Sequence, residues 1–442
     1  MKNLITSQSQ EDLQLIVKCP NADTFKKCKE KSKEYMCSVD GCECGCLILF
    51  KFDTQDELER FKINTGTDST LKKVEVDDNG IIKVIDKNEG NADAESWSIA
   101  EDFPSGTYTN EVIVYFIDTG ANKEYWDESP FNYNEPKAPK GVSESYGYNF
   151  TNPKDITGDY DDDNGHGTFG VRHVTEHLPK GANIKIVPLK VFDKQGNATL
   201  FSLVAALHYA IDNKANIINI SAGYSGKSNK ILEDAIKKCN EEGIFIITSA
   251  GNEGKNLDGA EQRQFPAVYG KGRIKTITET GIAQKQAFSE TTTVISVAAL
   301  NEERADLHTD SNYGKESITL AGYGQKISGY NHEAKVVYSG TSVATFAVTR
   351  ALAIEMAKKH GHGYKEVWED FKASSLEDFE KGTEQKTITG KRLNGKLKKN
   401  IVIDAKKRRK NNFTIWLLLL PLFSAFKSVV YPDKHPLSKR PR

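Results

Sequence analysis

With 442 residues, 38% of them hydrophobic, and 34 glycines, the chain has room for one large globular domain and a smaller one. Lys and Arg number 60 against 61 Asp and Glu, a formal net charge of −1, which argues against nucleic acid or an anionic membrane surface as the main partner. Residues 1–14 hold no apolar run beyond Leu4-Ile5, so no secretory signal is read there.

Leu13 to Val17 reads as a strand, the lysine-rich stretch Ala22 to Tyr35 as a helix, and Cys46 to Phe52 as a second strand. Thr54-x-x-Glu57 is a capping box that opens a helix through Phe61, and Leu71–Val76 and Ile81–Ile85 supply further strand material. This order predicts a small α+β module of the ferredoxin-like kind. Six of the seven cysteines (Cys19, Cys28, Cys37, Cys42, Cys44 and Cys46) crowd into this segment. They can pair as disulfides in an oxidising compartment, stay as thiols, or hold a soft metal through Cys42-x-Cys44-x-Cys46. Cys239 stands apart and reads as a small buried hydrophobe. Asp86 to Ala94 has no apolar side chain larger than alanine and reads as an exposed, nickable linker.

From Glu111 the pattern changes. Val112–Ile117, Ile184–Val191, Ile217–Ile220, Ile244–Thr248 and Val294–Ala298 are apolar, β-branched runs, separated by helical stretches after His166, over Leu200–Ile211 and over Lys230–Cys239. That alternation predicts an α/β fold, a mainly parallel sheet with helices on both faces and chemistry at the carboxyl ends of the strands. Lys123–Lys154 reads as a long polar and aromatic surface excursion, and Gly270–Glu290 as a small hairpin. At the end, the basic run Lys406–Lys410 precedes an apolar stretch, Phe413–Phe426, shorter than the roughly 20 residues a membrane-spanning helix needs. Membrane contact through this tail stays open. The chain divides as 1–92, a cysteine-rich module with its linker; 93–400, the large α/β domain; and 401–442, a basic and hydrophobic tail.

Four places carry chemistry. Asp118 ends the first buried run, where a carboxylate can be aimed at an imidazole. His166 stands between glycines in Asn164-Gly165-His166-Gly167-Thr168, which lets the backbone turn and leaves the ring accessible. Asn252, in Ser249-Ala250-Gly251-Asn252, follows another buried strand. Ser342, in Gly340-Thr341-Ser342-Val343-Ala344, opens an alanine-rich helix whose N-terminal N–H groups favour negative charge. Each alone also fits a turn residue or a helix cap.

Taken in order, Asp118-Thr119-Gly120, His166 between glycines, Gly251-Asn252 and Gly340-Thr341-Ser342 resemble the subtilisin-like serine proteases, the subtilases. Val187–Asp193 with Gly196, Ile217–Ser221, Phe265-Pro266-Ala267 and Ser311–Gly314 look like further landmarks of that family. The resemblance implies peptide-bond hydrolysis by an Asp118-His166-Ser342 triad, with Asn252 in the oxyanion site and no cofactor required. It implies that Gln195-Gly196-Asn197 and Ser221-Ala222-Gly223 pair with an extended peptide or protein substrate. Ser249-Ala250-Gly251 would line a primary pocket suited to a large apolar side chain, within a broad specificity. Structural calcium, frequent in the family, makes the acidic stretch Asp159–Asp163 a candidate site. The N-terminal module is similar, by pattern, to the family's inhibitory propeptide and is therefore an expected partner. Sequons at Asn149, Asn197 and Asn412, with the clustered cysteines, point to secretion or a vacuole-like, endomembrane lumen.

The chain also departs from the family. Phe169 stands where a second histidine is usual, and Phe346-Ala347 where proline and histidine usually follow the nucleophile. Two alternatives follow: a catalytically inactive homologue acting as a binding or inhibitory module, or a protein whose working part is the cysteine-rich module, as a metal-binding or inhibitory domain.

Overall fold

Alternation decides the N-terminal module. The computed structural model describes residues 13–400 apart from 85–86, 92–95, 100–106, 123–131, 134–136, 141, 177, 260–261, 272, 278–282, 288–292, 304–305, 332–333, 359–362, 380–385 and 395–396. In chain order the module consists of β1 (Gln14–Lys18), α1 (Ala22–Lys31), β2 (Cys37–Cys42), β3 (Leu47–Phe52), α2 (Gln55–Asn64) and β4 (Glu75–Asp78). The strands form an antiparallel sheet in the order β2-β3-β1-β4, the expected ferredoxin-like arrangement. Leu15, Val17, Ile48, Phe50 and Phe52 pack with Leu58 and Phe61 of α2 in one apolar cluster. Ile16, Leu47, Leu49 and Cys42, on the other face, belong to the core of the large domain. Both faces of this small sheet are therefore covered, the second by the rest of the chain. Thr54 caps α2 as expected, its Oγ1 accepting from Glu57 N at 3.3 Å.

Strand β2 was not legible, because Cys-Ser-Val-Asp-Gly-Cys has the composition of a turn. All seven cysteines are free thiols. Cys19 lies in hydrogen-bond contact with Cys28, and Cys42 with Cys44. Among the described residues no group of three or more His, Cys, Asp or Glu side chains converges as a metal site.

Next come β5 (Ile81–Val84), β6 (Lys87–Asn91) and β7 (Ser96–Ile99), then β8 (Glu111–Asp118), β9 (Asn132–Tyr133), β10 (Tyr148–Asn149), α3 (His166–Thr175), β11 (Asn183–Lys190), β12 (Asn197–Thr199) and α4 (Leu200–Asp212). They are followed by β13 (Ile217–Ile220), β14 (Ala222–Ser225), α5 (Lys230–Glu241), β15 (Phe245–Ser249), β16 (Gln264–Phe265), β17 (Arg273–Ile277), β18 (Ala283–Ala287) and β19 (Val294–Leu300). The described chain closes with β20 (Leu320–Tyr323), β21 (Ile327–Asn331), β22 (Ala334–Ser339), α6 (Thr341–Lys358), α7 (Tyr364–Ser375), β23 (Leu376–Asp378), β24 (Lys391–Leu393) and β25 (Leu397–Asn400).

The main sheet runs β10-β11-β8-β13-β15-β19-β20-β24-β23 and is parallel except for the β23–β24 edge. Every residue of β13, β15 and β19 is buried, the mark of a sheet covered on both faces. Strand order reverses beside β8: β11 lies on one side of it, and β13, β15 and β19 on the other. The carboxyl ends at this switch are where such sheets carry their sites. Helix α6 has buried residues around its whole circumference, as a central helix must. The hairpin expected over 270–290 is β17–β18.

The stretch read as an exposed linker corrects that expectation. Lys87–Asn91 is a strand, paired antiparallel with β22. Its polar sequence carries no strand signal, and backbone pairing with a distant edge makes up for that. The basic and apolar tail, 401–442, lies outside the described residues.

Candidate active site

The site is assembled where β8 ends. Asp118 is in register with Lys190 of β11 and is 1% exposed. Its Oδ1 accepts from Thr119 N at 2.7 Å and faces His166 Nδ1 at 2.7 Å. His166, 2% exposed, is the first residue of α3. Several contacts hold that helix start in place. Gly165 has φ +101, and a Cβ on Gly167 would overlap the Gly120 carbonyl. Thr119 Oγ1 accepts from Gly167 N at 2.9 Å. Asp162, buried, accepts from Asn164 N, Gly165 N, Thr168 N and Thr168 Oγ1 at 3.0, 2.9, 2.8 and 2.6 Å. Burial pushes the Asp162 carboxyl up, yet these donors together outweigh it and hold it below the usual carboxylate range.

Ser342 comes from the other side of the cleft. Gly340, at φ +145, lets β22 turn into α6, and Gly340 N donates to Gly324 O at 2.7 Å. Ser342 is fully buried and donates from Oγ to the Ser221 carbonyl at 3.1 Å. Thr341 ties this helix start to β15: its N donates to Asn252 Oδ1 at 2.9 Å, and its Oγ1 accepts from Gly251 N at 3.1 Å. Because the oxygen of the Asn252 amide is held by Thr341, the NH2 end is turned away from that bond. One turn beyond Ser342, the Phe346 ring lies 5.4 Å from the His166 ring, centroid to centroid.

The expected substrate-edge residues lie on either side of a strand of the chain itself. Strand β5 pairs antiparallel with β12 (Asn197 with Lys83, Ala198 with Ile82) and with β14 (Ala222 with Val84, Gly223 with Lys83). Val84 N donates to the Gly196 carbonyl at 2.9 Å. Gln195 is exposed, its N–H given to Asp193 Oδ1 at 2.9 Å. Ser221, Ala222, Ser249, Ala250 and Gly251 are buried, and Gly223 is buried beside Lys83. Ile82 is fully buried within the core cluster, while Lys83, its neighbour on the opposite face, is exposed.

The turn before β5 is anchored on two helix N-termini. Asn79 Oδ1 accepts from Phe201 N at 3.0 Å, and Gly80 O from Leu200 N at 2.9 Å, at the start of α4. Asp77 Oδ2 accepts from Lys230 N, and Asp78 O from Asn229 Nδ2 at 2.9 Å, at the start of α5. A carboxylate at a helix N-terminus also gains from the helix dipole. No signal in the sequence separated these polar residues from an ordinary turn.

The acidic stretch Asp159–Asp163 does not fit a calcium ion. Asp162 is turned inward onto α3, and the ammonium of Lys190 takes the cationic place, donating to Asp161 O at 2.8 Å and to Asp163 Oδ1 at 2.7 Å. A lysine on a strand neighbouring in space, though not in sequence, was invisible in the acidic run itself.

Comparison with known proteins gives the family. The subtilase family model, Peptidase_S8, matches residues 109–389. The minor extracellular protease Epr of Bacillus subtilis is 30% identical over 196 residues, covering 43% of this chain and 26% of that protein. The intracellular serine protease of Paenibacillus polymyxa is 29% identical over 219 residues, 47% of this chain and 59% of that one. The thermostable alkaline protease of Halalkalibacterium halodurans is 26% identical over 346 residues, 74% of this chain and 81% of that one. The chain thus spans less than two thirds of the length of the first two. Among solved structures, a cold-adapted subtilisin-like serine proteinase matches at 20% identity with a TM-score of 0.47, over 67% of this chain and 96% of that one. With the family model matching more than half of its length, and with its acid, imidazole and hydroxyl in the family's order, the chain belongs to the subtilase family.

Proposed function

We propose that the chain is a serine endopeptidase held in a self-blocked form by its own N-terminal module. The observation that carries the chemistry is the buried 2.7 Å contact between His166 Nδ1 and Asp118 Oδ1, with Ser342 heading the helix that packs against that imidazole. In this reading Asp118 fixes the tautomer of His166 and stabilises its charged form. His166 takes the proton of Ser342 Oγ as the hydroxyl attacks the scissile carbonyl, then returns it to the leaving amine. The NH2 end of Asn252 and the N–H of Ser342 stabilise the tetrahedral oxyanion, a contribution worth about 100- to 1,000-fold in turnover for one such donor. Water then releases the acyl group by the same proton path in reverse. None of these steps needs a metal.

The block is supported by β5, which lies between β12 and β14 as an extended peptide would, using backbone bonds for affinity and Ile82 for an apolar anchor. A substrate would take the same place, with an apolar side chain matching Ile82. The small walls at Ser221–Gly223 and Ser249–Gly251 support a broad preference for large apolar side chains nearer the cut. A secreted or lumenal setting belongs to the same proposal and rests on the sequons.

A fluorophosphonate probe tests the reading on the full chain. Labelling is expected in the wild type, faster when Ile82→Ala loosens the strand, and absent in Ser342→Ala. A folded chain that labels in neither of the first two forms overturns the protease reading and favours the inactive homologue.

A further inference from the structure

The two departures from the family pattern, Phe169 and Phe346, turn out to be neighbours. Both are buried. Their ring centroids lie 6.3 Å apart, and Phe169 packs on Tyr338, whose ring is 4.6 Å from it and edge-on to His166 at 6.3 Å. Phe346 meets the His166 ring at 5.4 Å and 58°, while the Nδ1 of that ring is bonded to Asp118. Behind it, Phe116 closes the contact at 5.4 Å.

Two glycines make room for these rings. A Cβ on Gly170 would sit 2.5 Å from Phe346 Cζ and 2.8 Å from Phe116 Cζ. A Cβ on Gly329 would sit 2.6 Å from Phe169 Cε2. Gly170 lies inside α3, where glycine weakens a helix and alanine would strengthen it. Its presence there has a physical reason only if the space in front of it is needed, and Phe346 fills that space.

We propose that Phe346, seated against Gly170 and backed by Phe169, is a positioning residue that holds the plane of the His166 imidazole. The inference rests on the protease reading, since a positioned imidazole matters only if it moves a proton. Asp118 fixes one edge of the ring, which leaves rotation about that hydrogen bond unrestrained. The Phe346 ring, packed against the imidazole at a 58° tilt, restricts this freedom and keeps Nε2 aimed at one place. Misplacement of a reacting group by about 1 Å can cost about 100-fold in rate.

The test compares the rate of fluorophosphonate labelling of Ser342 against pH in the full chain, as wild type, Phe346→Leu, Gly170→Ala and the double variant. The β5 block is common to all four and cancels in the ratios. Phe346→Leu is expected to label about 10- to 100-fold more slowly, with the acid limb of its profile displaced as the imidazole loses its fixed place against Asp118. Gly170→Ala, although a better helix former, is expected to slow labelling by pushing the Phe346 ring. Adding Phe346→Leu should then cost little more, because the closer clash, with the Phe346 ring, is gone and only that with Phe116 is left. Wild-type rates and an unmoved acid limb in Phe346→Leu overturn the inference. So does a loss of rate that only parallels a lower thermal midpoint with no movement of the profile. If neither the wild type nor Ile82→Ala labels at any pH, the protease reading falls and takes this inference with it. Normal wild-type labelling with an unaffected Phe346→Leu removes the inference alone.

Discussion

Replacing Ile82 by alanine should open the cleft. Ile82 is fully buried against the large domain, whereas Lys83 beside it faces solvent. The substitution removes three carbon atoms from that contact, worth about 2.4 kcal/mol at ~0.8 kcal/mol each. A poorly collapsing cavity would raise the figure. The backbone bond from Val84 N to Gly196 O, at 2.9 Å, is retained, so the strand can still dock. An energy of about 2.4 kcal/mol multiplies the ratio of open to closed molecules by about 60. While the closed form dominates, the initial rate on a short chromogenic peptide rises by the same factor. Lys83→Ala is the control, and as an exposed change it should stay within about two-fold. Rates are read before any shortening of the chain is detectable by intact mass. If Ile82→Ala and Lys83→Ala change the rate equally, or neither does in an otherwise active protein, β5 is not what closes the cleft.

Two further outcomes follow from the same geometry. Asn252→Ala should lower kcat by about 100- to 1,000-fold with little change in KM, since the amide acts on the oxyanion and not on the bound substrate; a rise in KM with kcat unchanged would remove it from that role. His208, 2% exposed in α4, has its pKa pushed down to about 3, first by burial and then by Lys18 and Lys238. A depressed folded value means its contribution to stability is complete above about pH 6.5 and is lost as pH falls towards 3. At pH 4.5 the loss amounts to about 3 kcal/mol. Urea unfolding of His208→Leu should therefore show that much less difference between pH 7.5 and pH 4.5 than the wild type, and an equal difference would refute the assignment.

The acid and imidazole were legible because local sequence encodes their surroundings. The buried run Val112–Ile117 can only be a core strand, so the residue after it must sit at a carboxyl end. Gly165 and Gly167 mark a backbone that has to turn tightly around His166. The two-faced module was legible for a similar reason: in Leu15-Ile16-Val17 and Leu47–Phe52, successive apolar residues go to opposite clusters, and a sheet needs both faces covered for that to be stable. What stayed hidden depends on partners far away in the chain. Lys87–Asn91 is polar throughout and becomes a strand only because β22 offers an edge. The acidic run 159–163 looks like a cation site until Lys190 is seen to reach it from β11.

The aromatic pair makes the same point about function. Read one at a time, Phe169 and Phe346 are losses, a histidine and a proline missing from a familiar pattern, and on that ground they suggest an inactive relative. Read together with Gly170 and Gly329, they are one packed unit, since each ring occupies the place where a neighbouring Cβ would have been. A decaying site has no reason to keep Gly170 inside α3 opposite Phe346, because alanine would stabilise the helix by about 1 kcal/mol once nothing filled the gap. The fit between those rings and those glycines is a physical argument that this site is built to hold its imidazole. It is also why the departures count for the enzyme reading and not against it.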